Sequence, residues 1–139
     1  PYPFTTKGII IGHLRSGWRT YQVIDTPGLL DRELEKRNSI ELQAVLALKY
    51  LADLIVFLID PSETCGYALE RQLALLASVK ANFHDMPIIE VDSKSDLEGR
   101  FTGRPRISAL TGEGVDELVA LIERTLKAQR VNDFDKLPT

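Results

Sequence analysis

The sequence holds a single cysteine, Cys65, so no internal disulfide can form and the composition suits a reducing compartment. It also lacks a long hydrophobic run. The longest, LADLIVFLI at 51–59, is interrupted by Asp53 and falls well short of the roughly 20 residues that a spanning helix needs, so no membrane partner is expected. No stretch reads as a signal peptide. Neither sign of charge dominates: 17 Lys and Arg stand against 20 Asp and Glu, interspersed, for a formal net charge of -3. That balance gives no broad electrostatic footprint for nucleic acid or an anionic surface, and no direct DNA binding is expected. The two histidines, His13 and His84, have no Cys, His or carboxylate at metal-ligand spacing, which argues against a zinc site. Internal repeats and polar low-complexity tracts are missing as well.

What remains is an ordinary domain composition, 44% apolar and 27% charged over 139 residues. A chain of that length buries roughly two-thirds of the surface that its unfolded form exposes, enough for a core without disulfides or structural metal. The runs KGIIIGHL (7–14) and RTYQVID (19–25) are strand-like and meet across RSGW, where Gly17 supplies turn chemistry, so they read as an antiparallel hairpin. A charged stretch, 31–37, precedes a helix opening at Asn38, with Glu41 three residues on as in a capping box. DLIVFLID (53–60) has the continuous apolar character of a strand buried on both faces. A helix over 66–83 places Leu69, Leu73, Leu76 and Val79 on one stripe; MPIIEVD (86–92) and RPRIS (104–108) read as strands. The last helix carries Val115, Leu118, Val119, Ile122 and Leu126 at i, i+3, i+4, i+7 and i+11, and its pattern stops after Arg130. Strands alternating with helices predict an α/β domain with a mostly parallel sheet, edged by the hairpin. In such sheets ligands bind beyond the carboxyl ends of the strands, and the chemically suggestive residues fall there.

Asp25-Thr26-Pro27-Gly28 ends the second strand. A carboxylate at that place can hold a water on Mg²⁺, and a glycine lets its backbone N–H approach a terminal phosphate. The same four residues also suit an ordinary strand-to-loop turn. In Ser93-Lys94-Ser95-Asp96, Asp96 can accept two hydrogen bonds from a guanine N1–H and 2-amino group, a pattern that adenine does not offer, while the Lys94 stem covers the base. Read alone, such a stretch is most often a polar turn, and it gains weight only from its order with the other motifs, each after a strand. Ser108-Ala109-Leu110 follows the next strand, where the Ala109 N–H can face the guanine carbonyl oxygen. Thr5 and Thr6 stand before the hairpin, placed to lend a hydroxyl to Mg²⁺ or simply to enter a strand.

YPFTT (2–6), DTPGLLDR (25–32) and DPSETCGYALERQ (60–72) together resemble the nucleolar GTP-binding protein (Nog) family among the Obg-like, translation-factor-related GTPases, over residues 1 to about 128. The Asp60 to Gln72 stretch is the most specific part. The resemblance implies a Ras-like G domain over 1–129, followed by a tail or linker stub over 130–139, that binds and hydrolyses GTP as a switch in large ribosomal subunit biogenesis. Carried over by position, it makes Thr6 the Mg²⁺ and γ-phosphate switch residue, Asp25 the water-mediated Mg²⁺ ligand and Gly28, after Thr26, the γ-phosphate sensor. Ser93, Lys94 and Asp96 become the guanine-reading motif, with Ser108, Ala109 and Leu110 beneath the base. Leu29 stands where Ras-type proteins carry a water-orienting glutamine, so slow intrinsic hydrolysis is expected. The implied partners are GTP and GDP and a large-subunit precursor or its assembly factors. The implied location is cytoplasmic for an archaeal-type member and nucleolar for a eukaryotic one.

Two departures from the family pattern stand out. Ser93 replaces an asparagine, and its shorter side chain is less able to reach the purine N7 or to brace neighbouring loops. These 139 residues also contain no Gly-rich phosphate loop of the GxxxxGK[ST] kind, nor the strand and helix that flank it. The expectation is therefore a fragment of a G domain without its P-loop. A nucleotide-independent interaction module derived from a G domain is the alternative, and another Obg-like GTPase with a different partner is a third reading.

Overall fold

The computed structural model describes residues 10–17, 19–25 and 49–135. Thr5, Thr6, Thr26, Gly28, Leu29 and the capping box at Asn38 lie outside them. The hairpin is present: β1 (Ile10–Ser16) pairs antiparallel with β2 (Arg19–Asp25), in a register that sets Ser16 opposite Arg19 and Ile10 opposite Asp25. Gly17 opens the two-residue connection with φ +61°, a left-handed conformation that glycine adopts without a Cβ clash.

A helical turn at 49–51 leads into β3 (Ile55–Ile59), which pairs in parallel with β4 (Ile88–Asp92). Between them runs α1 (Leu69–Asn82). Ala68 makes no side-chain cap for this helix. The Glu63 carboxylate instead accepts from the Leu69 N–H at 3.0 Å, satisfying one of the donors that a helix start leaves open. The hairpin and the parallel pair are separate two-stranded sheets among the described residues, not one continuous sheet, because no backbone ladder joins β2 to β3.

Period-two alternation divides the core. Phe57 and Ile59 face α1, where they pack with Leu69, Leu75, Leu76, Val79 and Phe83. Ile89 and Val91 face the other way with Ile107, covered by Val115, Leu118, Leu121 and Ile122 of α2 (Val115–Asp135). The parallel pair is thus sandwiched between helices, a mixed α/β arrangement. Leu58 departs from the expectation of a strand buried on both faces: it is 49% exposed, because no described residue covers that side chain.

Two other expectations shift. RPRIS forms only a single parallel bridge, Asp92 to Arg106, with Asp92 N donating to the Pro105 carbonyl and Ile107 N to the Asp92 carbonyl. Pro105 has no N–H to extend the ladder. And α2 continues to Asp135, past the end of the apolar repeat, since helix propagation needs only the next backbone hydrogen bond once a nucleus exists. Arg130 on this helix reaches the hairpin, with its guanidinium 6.0 Å from the Tyr21 ring centroid.

Candidate functional site

The site is built at the carboxyl ends of β3 and β4. Backbone hydrogen bonds seat the loop after β4 against its neighbours: Ser93 N donates to the Ile59 carbonyl at 2.7 Å and Ser95 N to the Ile107 carbonyl at 3.0 Å. The Ser93 hydroxyl donates to the same Ile59 carbonyl at 2.7 Å. Ser93 is thus tied by both its backbone and its side chain to the end of β3. Lys94 adopts φ 54°, unusual for a side chain with a Cβ, and Leu97 N closes the turn onto its carbonyl at 2.9 Å.

Asp96 is exposed, and its Oδ1 accepts from the Ser108 hydroxyl at 2.7 Å. Ser108 itself is fully buried; its hydroxyl accepts from Thr111 N at 3.1 Å and its backbone N–H donates to the Glu113 carbonyl at 2.9 Å. This knot fixes the Asp96 carboxylate beside Ala109 and Leu110, both exposed, with Leu110 at 83%. The structure thus brings together two loops nominated separately from sequence. Asp25, at the end of β2, is exposed and has the chemistry that a hydrated Mg²⁺ accepts, one carboxylate with water and phosphate completing the shell. Among the described residues no cluster of three or more His, Cys, Asp or Glu forms a metal site.

Sequence reasoning missed the centre of the arrangement. Asp60, 5% exposed, receives five hydrogen bonds at its carboxylate. Ser62 N and Ser62 Oγ donate to Oδ1 at 3.1 and 2.5 Å, and Thr64 Oγ1, Cys65 N and Lys94 Nζ donate to Oδ2 at 3.2, 2.7 and 2.8 Å. Burial pushes this carboxyl up, but Lys94, Ser62 and the Cys65 N–H outweigh it and hold the group at about 2, against an ordinary 3.8. Gln72 of α1, 1% exposed, grips the same residue through its main chain, accepting from Asp60 N at 2.7 Å and donating to Asp60 O at 2.9 Å. Asp60 and Gln72 bound the sequence stretch that carries the family resemblance, which was the available signal. Cys65 is buried beside them, and burial together with the Asp60 charge pushes its thiol up, away from the nucleophilic thiolate.

Farther along the loop, Asp92 is fully buried and accepts from Thr102 N at 2.7 Å and Thr102 Oγ1 at 2.8 Å, pinning the 93–102 segment at its far end. Gly99 approaches so closely that a Cβ there would stand 2.6 Å from the Pro61 carbonyl. An open cleft of about 210 Å³, lined by Lys49, Ala52, Phe83, Asp85, Met86 and Gln129, lies at the amino ends of β3 and β4 and holds none of the candidate residues.

These features define an α/β domain with a polar, preformed site at the carboxyl edge of its parallel strands. A family model for nucleolar GTP-binding protein 1 matches residues 39–96. The chain is 55% identical over 96 residues to an uncharacterized protein of Methanocaldococcus jannaschii, covering 69% of this chain and 26% of that protein. It is 40% identical over 129 residues to nucleolar GTP-binding protein 1 of Caenorhabditis elegans, covering 93% of this chain and 19% of that one. Its fold is similar to a crystal structure from Plasmodium falciparum assigned as nucleolar GTP-binding protein 1, with a TM-score of 0.77, 30% identity, and coverage of 91% of this chain and 74% of that one. The chain belongs to the nucleolar GTP-binding protein 1 family, and spans about a quarter or less of the length of these curated relatives.

Proposed function

We propose that these residues form part of a Ras-like G domain that binds GTP and GDP, hydrolyses GTP and acts as a switch during large ribosomal subunit biogenesis. The observation that carries the reading is the 2.7 Å bond from Ser108 to Asp96 at the carboxyl edge of the parallel strands. It ties the exposed Asp96 to the loop that carries the exposed Ala109, and a carboxylate with a nearby backbone N–H would complement a guanine edge. In this reading Asp96 accepts from the base N1–H and 2-amino group, the Lys94 stem lies along the base, and Ala109 N–H faces the base carbonyl. Ser108 and Leu110 shape the loop below, and Ser93 braces it.

Asp25, with Thr6, would hold Mg²⁺, and Gly28, after Thr26, would meet the terminal phosphate. Bound there, the ion would neutralise charge on the phosphates. Leu29 cannot orient a water by hydrogen bonding, which implies slow intrinsic turnover. The G domain would occupy residues 1–129, with 130–139 leading out of it as a tail or linker stub whose first residues, to Asp135, continue α2. The family name supports a nucleolar location for eukaryotic members; an archaeal-type member would act in the cytoplasm, on a large-subunit precursor or its assembly factors.

Calorimetric titration of the full-length polypeptide with GDP and then ADP, in Mg²⁺, tests the reading. Micromolar binding of GDP with ADP at least a hundredfold weaker is the expected result. Equal affinities would remove the base-reading role of Asp96. No binding of either would favour the nucleotide-independent interaction module.

A further inference from the structure

The Asp60 carboxylate and Lys94 lie 34 residues apart in sequence, on loops that follow different strands. The carboxylate reaches Nζ at 2.8 Å, and Thr64 Oγ1 accepts from the same ammonium at 2.6 Å. The two ends of this contact differ in environment. Asp60 has a 7% exposed side chain and is tied to Ser62, Thr64 and Cys65, whereas the Lys94 side chain is 39% exposed. A lysine otherwise keeps many rotamers, and ordering it on ligand binding costs free energy. Here the ammonium is anchored from below by a buried acceptor, and that acceptor is locked to α1 through Gln72.

We infer that Asp60 is a positioning residue for the nucleotide site: with Thr64 it fixes the Lys94 ammonium so that the stem is already laid out as a platform for the base. The inference rests on the guanine-nucleotide reading above. It assigns a task to the family-specific stretch 60–72 through the contact of Asp60 and Thr64 with Lys94. Gln72 belongs to the same device, since it holds Asp60 N and O in register. The charge of Asp60 has an opposite consequence that the geometry outweighs: it partly neutralises Lys94, so an electrostatic role alone would make its removal tighten the binding of an anionic nucleotide.

The test is a double-mutant cycle read by GDP titration in Mg²⁺ on the full-length polypeptide, with Asp60→Asn, Lys94→Ala and the double variant. Wild type must first bind GDP in preference to ADP; failure there refutes the nucleotide reading itself, whatever Asp60 does. Given that binding, Asp60→Asn is expected to weaken GDP about tenfold, and to add less than twofold on the Lys94→Ala background. A merely structural role of Asp60 would weaken binding equally on both backgrounds, and that result overturns the inference. So does unchanged or tighter binding by Asp60→Asn. If Asp60→Asn does not fold, Thr64→Val decides: it removes one acceptor of Nζ and is expected to weaken GDP about threefold with Lys94 present and not in its absence. Wild-type affinity in that variant overturns the inference.

Discussion

Replacing Asp60 with Asn puts a number on the network beneath the candidate site. Asp60 is 5% exposed, and its carboxyl is held at about 2 from an ordinary 3.8, against burial, by Lys94, Ser62 and the Cys65 N–H. At about 1.4 kcal/mol per tenfold change in acidity, that displacement contributes on the order of 2 kcal/mol at neutral pH. Because the folded-state value is depressed, the contribution is fully present above about pH 4 and is lost as pH falls through about 2. Asn keeps the side-chain shape, but its NH2 must replace an oxygen that now accepts two (Oδ1) or three (Oδ2) of the five donors. The expected cost is therefore about 2–3 kcal/mol at pH 7, a large part of the 5–15 kcal/mol typical of a domain yet compatible with folding at 25 °C. Urea denaturation of both chains from pH 7 to pH 2.5, followed by circular dichroism, measures it. The gap between wild type and Asp60→Asn should narrow by roughly half or more toward pH 2.5. A gap that stays constant over that range, or one below about 0.5 kcal/mol at pH 7, would refute the claim that the ionised carboxylate organises these loops.

Further outcomes follow from the same contacts. Gly99→Ala places a Cβ within 2.6–2.7 Å of Pro61 and Ser62 backbone atoms, so the two loops must separate, with a stability loss of about 1–3 kcal/mol visible as a lowered thermal midpoint. Ser108→Ala removes the donor to Asp96 and the acceptor of Thr111 N; it should cost about 1 kcal/mol in stability and weaken GDP several-fold in calorimetry. Ile59→Ala empties a fully buried position between the sheet and α1, with an expected loss of about 2–5 kcal/mol in urea denaturation.

Elements with a strong period were legible in the sequence. β3 stands out as an apolar run, and Leu69, Leu76 and Val79 mark the buried stripe of α1, as do Val115, Leu118 and Ile122 for α2. Where polar groups find partners at long range, periodicity misleads. Gln72 displaces the expected Leu73 from the most buried set of α1 because both of its amide atoms bond the Asp60 main chain twelve residues away. Asp60, followed by Pro61, looks like a turn carboxylate, and only its meeting with Lys94, 34 positions on, gives it another task. The bond between Ser108 and Asp96 was likewise invisible, although each residue was nominated, since nothing local states that the two loops meet. Thr6, Thr26 and Gly28 lie outside the described residues, so the phosphate half of the proposed site rests on the sequence pattern.

The central claim is that Asp96 reads a guanine edge, and exchanging its chemistry tests it most directly. Asp96→Asn replaces one acceptor oxygen with a donor, which suits the 2-carbonyl of xanthine and opposes the 2-amino group of guanine. The full-length polypeptide, titrated in Mg²⁺ with GDP and xanthosine diphosphate, should prefer GDP as wild type and xanthosine diphosphate as Asp96→Asn, each by about a hundredfold, as two bonds to a charged or reoriented partner allow. Retention of the wild-type preference for GDP by Asp96→Asn would contradict the account.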